Sequence, residues 1–349
     1  MRDAGILHKG TRDKAFSLIE VLVSSAVIAL LAGLLLSVVS HTQRSWGYAK
    51  GRLEEFKEAS RAFDTMSRAL SEATLNVRME YDDPTNPSAL VRRSDLRFLS
   101  GPNARLFSGS AAAAFPGMSV FFQSPSGFST NATNSLLRNT LATRGYFLEY
   151  GPDTAVKPAF LDASIPSRGN RYRLMELKEP TESLSVFSHG AGNPGYTNSD
   201  WVTDSLLQPA ARRPAHMLAE NIVGMILLPK LPDAQLSPPY TASSLAPDYV
   251  YDSSRTNSRS SDPVLNPHHQ LPPVLQVTLI AVDEASALKY PAALSSLSNA
   301  MSGLFSDSRV YSNDLATLES YLVTRGISYR VFSTDVPIRG AKWSMSQTN

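Results

Sequence analysis

Few residues in this chain combine a type and a spacing that could do chemistry, and the most unusual of them is a single carboxylate. Glu20 stands at the head of an apolar run, because Val21 to Val39 carries no charge. A carboxylate there costs on the order of a few kcal/mol in lipid, and such a residue usually marks a function. The cost is relieved only if a positive group pairs with it. Just ahead lies a polar leader, Met1 to Lys14, in which Arg2, Lys9, Arg12 and Lys14 outweigh Asp3 and Asp13. The leader ends in the small residue Ala15, followed by Phe16.

The other candidates are weaker. There is no cysteine, which excludes disulfides, thiol catalysis and thiolate metal sites. His268 and His269 are the only adjacent histidines, and Pro267 and Pro272-Pro273 flank them. A metal site needs further ligands in a fixed geometry, so this pair reads as a solvated turn. His189 and His216 have no partner at ligand spacing. Asp82-Asp83 reads as a helix stop and Asp283-Glu284 as a strand end. Between Asp248 and Asp262 the chain offers Asp248, Asp252, Asn257 and Asp262 as oxygen ligands, without the glycine and spacing of a calcium loop. Arg92-Arg93 with Arg97, and Arg212-Arg213, read as solvated basic surface. With 33 basic and 31 acidic side chains, nothing resembles a nucleic-acid footprint. No nucleophile elbow or phosphate loop is present in its required context. The expectation is no catalytic, metal or cofactor residue, and no nucleic-acid partner.

What remains is an element that must hold Glu20. At about 1.5 Å of rise per residue, the run matches the roughly 30 Å hydrocarbon core of a bilayer. Secretory signals have shorter apolar regions and a small-x-small cleavage site, and neither is seen here. The basic leader predicts a cytoplasmic N-terminus with the rest of the chain across the membrane. No proline occurs before Pro84, so the helix is expected to continue to about Met79 and to stop at Asp82-Asp83-Pro84. Phe56, Phe63, Leu70 and Val77 recur every seven residues, with Ala59, Met66 and Ala73 between them, an apolar stripe suited to packing on a globular core.

Beyond Pro84, short runs predict strands at 96–99, 118–123, 146–150, 172–177, 222–228, 275–282 and 328–333. A helix capped by Asn313 is expected over 314–324, closed by Gly326. The stretch 232–273 reads as a long loop, either an insertion or partly disordered. The fold class expected is α+β: a long transmembrane-plus-amphipathic helix packed on an antiparallel sheet. Its divisions are 1–15 leader, 16–40 membrane helix, 41–82 amphipathic continuation and 83–349 β-rich globular domain.

The stretch Ala15 to Glu20, with the basic leader and the apolar helix, resembles the prepilin signal of type IV pilins and type II secretion pseudopilins. Ala15 stands where that family usually has glycine, and Ser17 where it has threonine. The resemblance implies cleavage between Ala15 and Phe16 by a prepilin peptidase and N-methylation of Phe16. Glu20 would then pair with the α-amino group of a neighbouring subunit. Residues 172–177, 218–224 and 271–279 resemble blocks of J-type minor pseudopilins. Residues 144–150 and 329–332 look more like the Verru_Chthon cassette protein C family. The partners implied are other pilin-like subunits, the peptidase, an inner-membrane assembly platform and membrane lipid. The implied location is the bacterial inner membrane, single-pass, with the globular domain periplasmic. A pilus-displayed adhesion or substrate-binding module is one alternative reading, and a membrane-tethered enzyme another.

Overall fold

In a computed structural model, residues 18–108, 115–134, 136, 140–152, 169–188, 199–209, 212–233, 236–255 and 262–342 are described. The chain divides into two compact units, Met1–Glu54 and Glu55–Asn349. The first helix, α1 (Leu18–Ser71), contributes to both.

In the second unit the strands are β1 (Arg78–Tyr81), β2 (Leu90–Arg93), β3 (Phe98–Pro102), β4 (Met118–Ser124), β5 (Ala142–Pro152), β6 (Asn170–Lys178), β7 (Ala215–Glu220), β8 (Ile222–Lys230), β9 (Tyr251–Asp252), β10 (Val274–Val282) and β11 (Tyr329–Pro337). Among the described residues, the α-helices after α1 are α2 (Asn103–Leu106), α3 (Ser185–Ser188), α4 (Asp200–Leu206), α5 (Glu284–Lys289), α6 (Pro291–Ser295), α7 (Leu297–Ala300) and α8 (Tyr311–Thr324). One sheet runs β7-β6-β5-β4-β3-β9 and another β11-β10-β8, while β1 and β2 form a separate hairpin; every pairing is antiparallel. The architecture is α+β.

Alternation of side chains along the strands gives the large sheet two apolar faces. One carries Phe98, Val120, Phe122, Tyr146, Leu148 and Leu174, and packs with α1 and the three-stranded sheet. The other carries Leu99, Phe121, Phe147 and Met175 and packs with Trp201, Val202 and Leu206 of α4. The stripe on α1 is buried as expected at Ala59, Phe63, Met66 and Leu70, and widened by Ala62 and Ala69.

The helix ends earlier than its sequence predicts. It stops at Ser71, and Val77 lies beyond it, 42% exposed, rather than in the stripe. Tertiary partners end it. The Arg339 amide donates to the Ser71 carbonyl (3.0 Å), and Thr74 bridges to Gln123 of β4. An end carbonyl of α1 is thus satisfied by distant chain rather than by a further helical turn. Asp82 and Asp83 instead close the β1–β2 hairpin: Asp82 accepts from the Ser88 and Ala89 amides (2.9 and 3.0 Å) and Asp83 from the Thr85 amide (2.7 Å).

Two other expectations change, and a third is extended. The described part of 232–273 is packed into the core, with Leu245, Tyr249, Tyr251 and Leu271 buried and β9 pairing with β3. Helix α8 starts at Tyr311, so Asn313 is not its cap; Asp314 accepts from the Phe305 amide (2.7 Å) instead. Asp283 follows the last residue of β10, as the strand-end reading expects, and in addition caps α5, its carboxylate accepting from the Ser286 amide (2.6 Å).

The step from the large sheet to the small one takes one residue. Asn221, at φ 59°, lies between β7 and β8, and asparagine tolerates that left-handed conformation better than most side chains. Its amide donates to the Tyr172 carbonyl (2.8 Å) and its side chain to Glu284 (2.8 Å).

Candidate assembly site

Ala15 and Phe16 lie outside the described residues. Glu20 is the third residue of α1, which starts at Leu18, and its side chain is likewise outside the described set. The apolar run that follows is helical throughout. A 20-residue window, Val21–Ser40, has a mean hydropathy of 2.6, and none of it is buried. A helix apolar all round, with no stripe, suits lipid or other apolar helices as its surroundings. Three hydroxyls in the run and just after it bond back to the helix: Ser25 donates to the Leu22 carbonyl, Ser40 to Ser37 and Thr42 to Val38, each at 2.9 Å. Such back-bonding leaves fewer polar groups for hydrocarbon to strip of water.

The globular unit holds charges that sequence reasoning did not bring together. Arg173 on β6 and Glu220 on β7 are register partners, 3.7 Å apart. Arg173 is 1% exposed, and its Nη1 donates to the Gly151 and Pro152 carbonyls (3.1 Å each). One row across β5, β6 and β7 sets Tyr146, Glu176 and His216 side by side. The Glu176 carboxylate accepts from the Tyr146 hydroxyl (2.7 Å) and lies 2.9 Å from His216 Nε2. Burial pushes this carboxyl up, but bonds from His216 and Tyr146, with Arg144 nearby, outweigh it and the net shift is downward. Arg171 makes a two-pronged pair with Glu284 at the start of α5.

The remaining sequence candidates are scattered. His269 is buried rather than solvated, and its Nδ1 accepts from the Ser94 amide (3.1 Å). Burial, aided by His268, Arg97, Arg93 and Arg92, holds its pKa down at about 3, so the ring is neutral. Arg97 is buried too, and Arg213 pairs with Glu149 (3.1 Å) under the Phe115 ring. Asp248 pairs with Arg105, Asp252 with Arg255, and Asp262 accepts from Tyr240, so these carboxylates do not converge. Asn257 and His189 lie outside the described residues. Among the described residues no three His, Asp or Glu side chains are grouped to hold a metal ion.

Comparison with known families decides the N-terminus. The prokaryotic N-terminal methylation motif matches residues 10–36. The methylation motif covers Ala15, Phe16 and Glu20 and overlaps most of the apolar window. It supports a type IV pilin-like, prepilin-processed character for this chain, and it is consistent with a single-pass anchor in the inner membrane. No curated protein and no solved structure matches the chain.

Proposed function

We propose that this chain is a minor pilin or pseudopilin, a structural subunit of a type IV pilus-like or type II secretion-like assembly. The observation that carries this reading is the methylation motif over residues 10–36, continuous with an apolar helix of membrane length. A prepilin peptidase cuts between Ala15 and Phe16, and the freed Phe16 amine is methylated. Glu20 then meets that amine on a neighbouring subunit, where a buried pair fixes register more than it adds stability. The globular unit lies outside the cytoplasmic membrane, on the side opposite the basic leader. Its role is structural rather than catalytic: Arg173, Glu176 and Arg171 are engaged in pairs that join strands and helices. The likeness of residues 172–177, 218–224 and 271–279 to J-type pseudopilins, and of 144–150 and 329–332 to the Verru_Chthon cassette protein C family, favours a minor subunit.

Mass analysis of the mature N-terminus is the test. A chain beginning at methylated Phe16 is expected. One that retains Met1, or is cut after Ser40, would sink the proposal.

A further inference from the structure

The β1–β2 hairpin is a sheet without a core. No residue of either strand is buried, and the hairpin joins neither larger sheet. A two-stranded hairpin alone is marginally stable in water, yet this one is pinned at both ends. At its base the Asn76 Oδ1 accepts from the Ser94 hydroxyl (2.9 Å) and from the Asp95 and Leu96 amides (2.9 and 3.1 Å), while Arg78 pairs with Asp95 (2.6 Å). At its tip, bonds from the Ser88 hydroxyl and the Ala89 and Ser88 amides hold Asp82 below the ordinary carboxylate range, and the Thr85 amide does the same for Asp83. Both therefore carry their charge.

Cross-strand register sets Met79 opposite Arg92 and Tyr81 opposite Leu90, so these four share one face. Met79, Tyr81 and Leu90 are 58%, 59% and 54% exposed. An exposed apolar face rimmed by charge marks an interaction site, and the charges select its occupant. Arg78, Arg92 and Arg93 gather at the base, and Asp82 and Asp83 at the tip; Glu80, on the opposite face from Met79, is engaged by Arg78. An anionic lipid surface would attract one end and repel the other, and so would a peptide of a single sign. A second copy turned end for end meets opposite charge at both ends. We propose that the hairpin is a self-association surface, on which two copies pack apolar face to apolar face about a twofold axis beside Tyr81 and Leu90. Arg92 of each copy then lies against Asp82-Asp83 of the other. A twofold contact of this kind is self-complementary. Two strands of four residues each fall short of the roughly 20–30 residues a side of a stable dimer, so the contact is weak in free solution. This inference does not depend on how the N-terminus is processed.

The chain has no cysteine, so single introduced thiols report the contact cleanly. Full-length chains carrying Tyr81→Cys, Leu90→Cys or, as background, Val323→Cys at an exposed site of α8 are oxidised in mild detergent with copper phenanthroline and air. Dimer is read on a non-reducing gel. Tyr81 and Leu90 lie midway between the charged ends, where each residue meets its own copy, so dimer several-fold above the Val323→Cys level is expected. Raising the ionic strength from about 0.01 M to about 1 M shortens the screening length from about 30 Å to about 3 Å and is expected to lower the yield. Arg92→Glu and Asp83→Lys should each lower it too, and the two together in one chain should restore it. The salt series needs no charge substitution, so it decides the arrangement even where a reversed chain does not fold. Dimer no more abundant than with Val323→Cys at both hairpin positions would assign the face to a different partner and overturn the proposal. A yield indifferent to salt, or folded reversals that together fail to restore it, would overturn the end-for-end arrangement.

Discussion

At the scale of single residues, the same side-chain type serves opposite ends according to its surroundings. Glu20 begins a run with no charge in it, so its carboxylate needs a partner from outside the segment. Glu20→Gln keeps the shape and removes the charge. Normal membrane insertion with impaired assembly or methylation is expected, read by fractionation and by mass of the N-terminal peptide; unchanged assembly would refute the pairing role. His269 is the reverse case, a base held neutral. Its folded pKa of about 3 lies below the ordinary 6.5, so the unfolded chain takes up the proton first. Stability is therefore complete above 6.5 and falls as pH drops towards 3. By pH 5 the loss approaches about 2 kcal/mol. Thermal melts between pH 7.5 and 5 should show a shallower fall in His269→Asn, whose side-chain oxygen can still accept from the Ser94 amide.

At the scale of elements, the family-like blocks have physical reasons. Arg173, in one block, and Glu220, in another, face each other across β6 and β7. Gly145, in a third, sits opposite Phe121 on β4, and the ring lies over it: a Cβ there would come within 2.1 Å of Phe121 Cδ1. Glycine in a strand interior marks such a close approach. Gly145→Ala must displace a buried ring between two packed layers and is expected to cost about 1–3 kcal/mol. Chemical unfolding would show a lower midpoint with an unchanged slope; an unchanged midpoint would mean that the ring has room to move. The early end of α1 belongs to this scale too. Residues 72–77 contain no glycine or proline, and the stop comes from Arg339 and Gln123, which lie far along the chain.

For the whole molecule, the division near Glu54 separates two kinds of stability. Both core clusters draw on residues from Phe56 onward, whereas Val21–Ser40 is unburied. A chain starting at Glu55 is therefore expected to be soluble and to unfold cooperatively, while the full chain partitions with membranes and resists carbonate extraction. Aggregation or a non-cooperative melt of the truncated chain would show that residues before Glu55 are needed for folding.

The sequence by itself determined the apolar helix, the place of Glu20 and the central positions of most strands, because those signals are local: unbroken hydropathy, a motif of fixed spacing and runs of β-formers. It could not determine where α1 stops, that His269 and Arg97 are buried, that Asp283 caps a helix, or that the described part of 232–273 contributes to the core. Each of these depends on partners supplied by remote chain, as when Ser94 meets His269 and Phe98 meets Ser253. The charge pairs followed the same rule. Arg173 and Glu220 are both plain in the sequence, but only antiparallel registry between β6 and β7 puts them side by side, because no local pattern encodes which strand will be the neighbour.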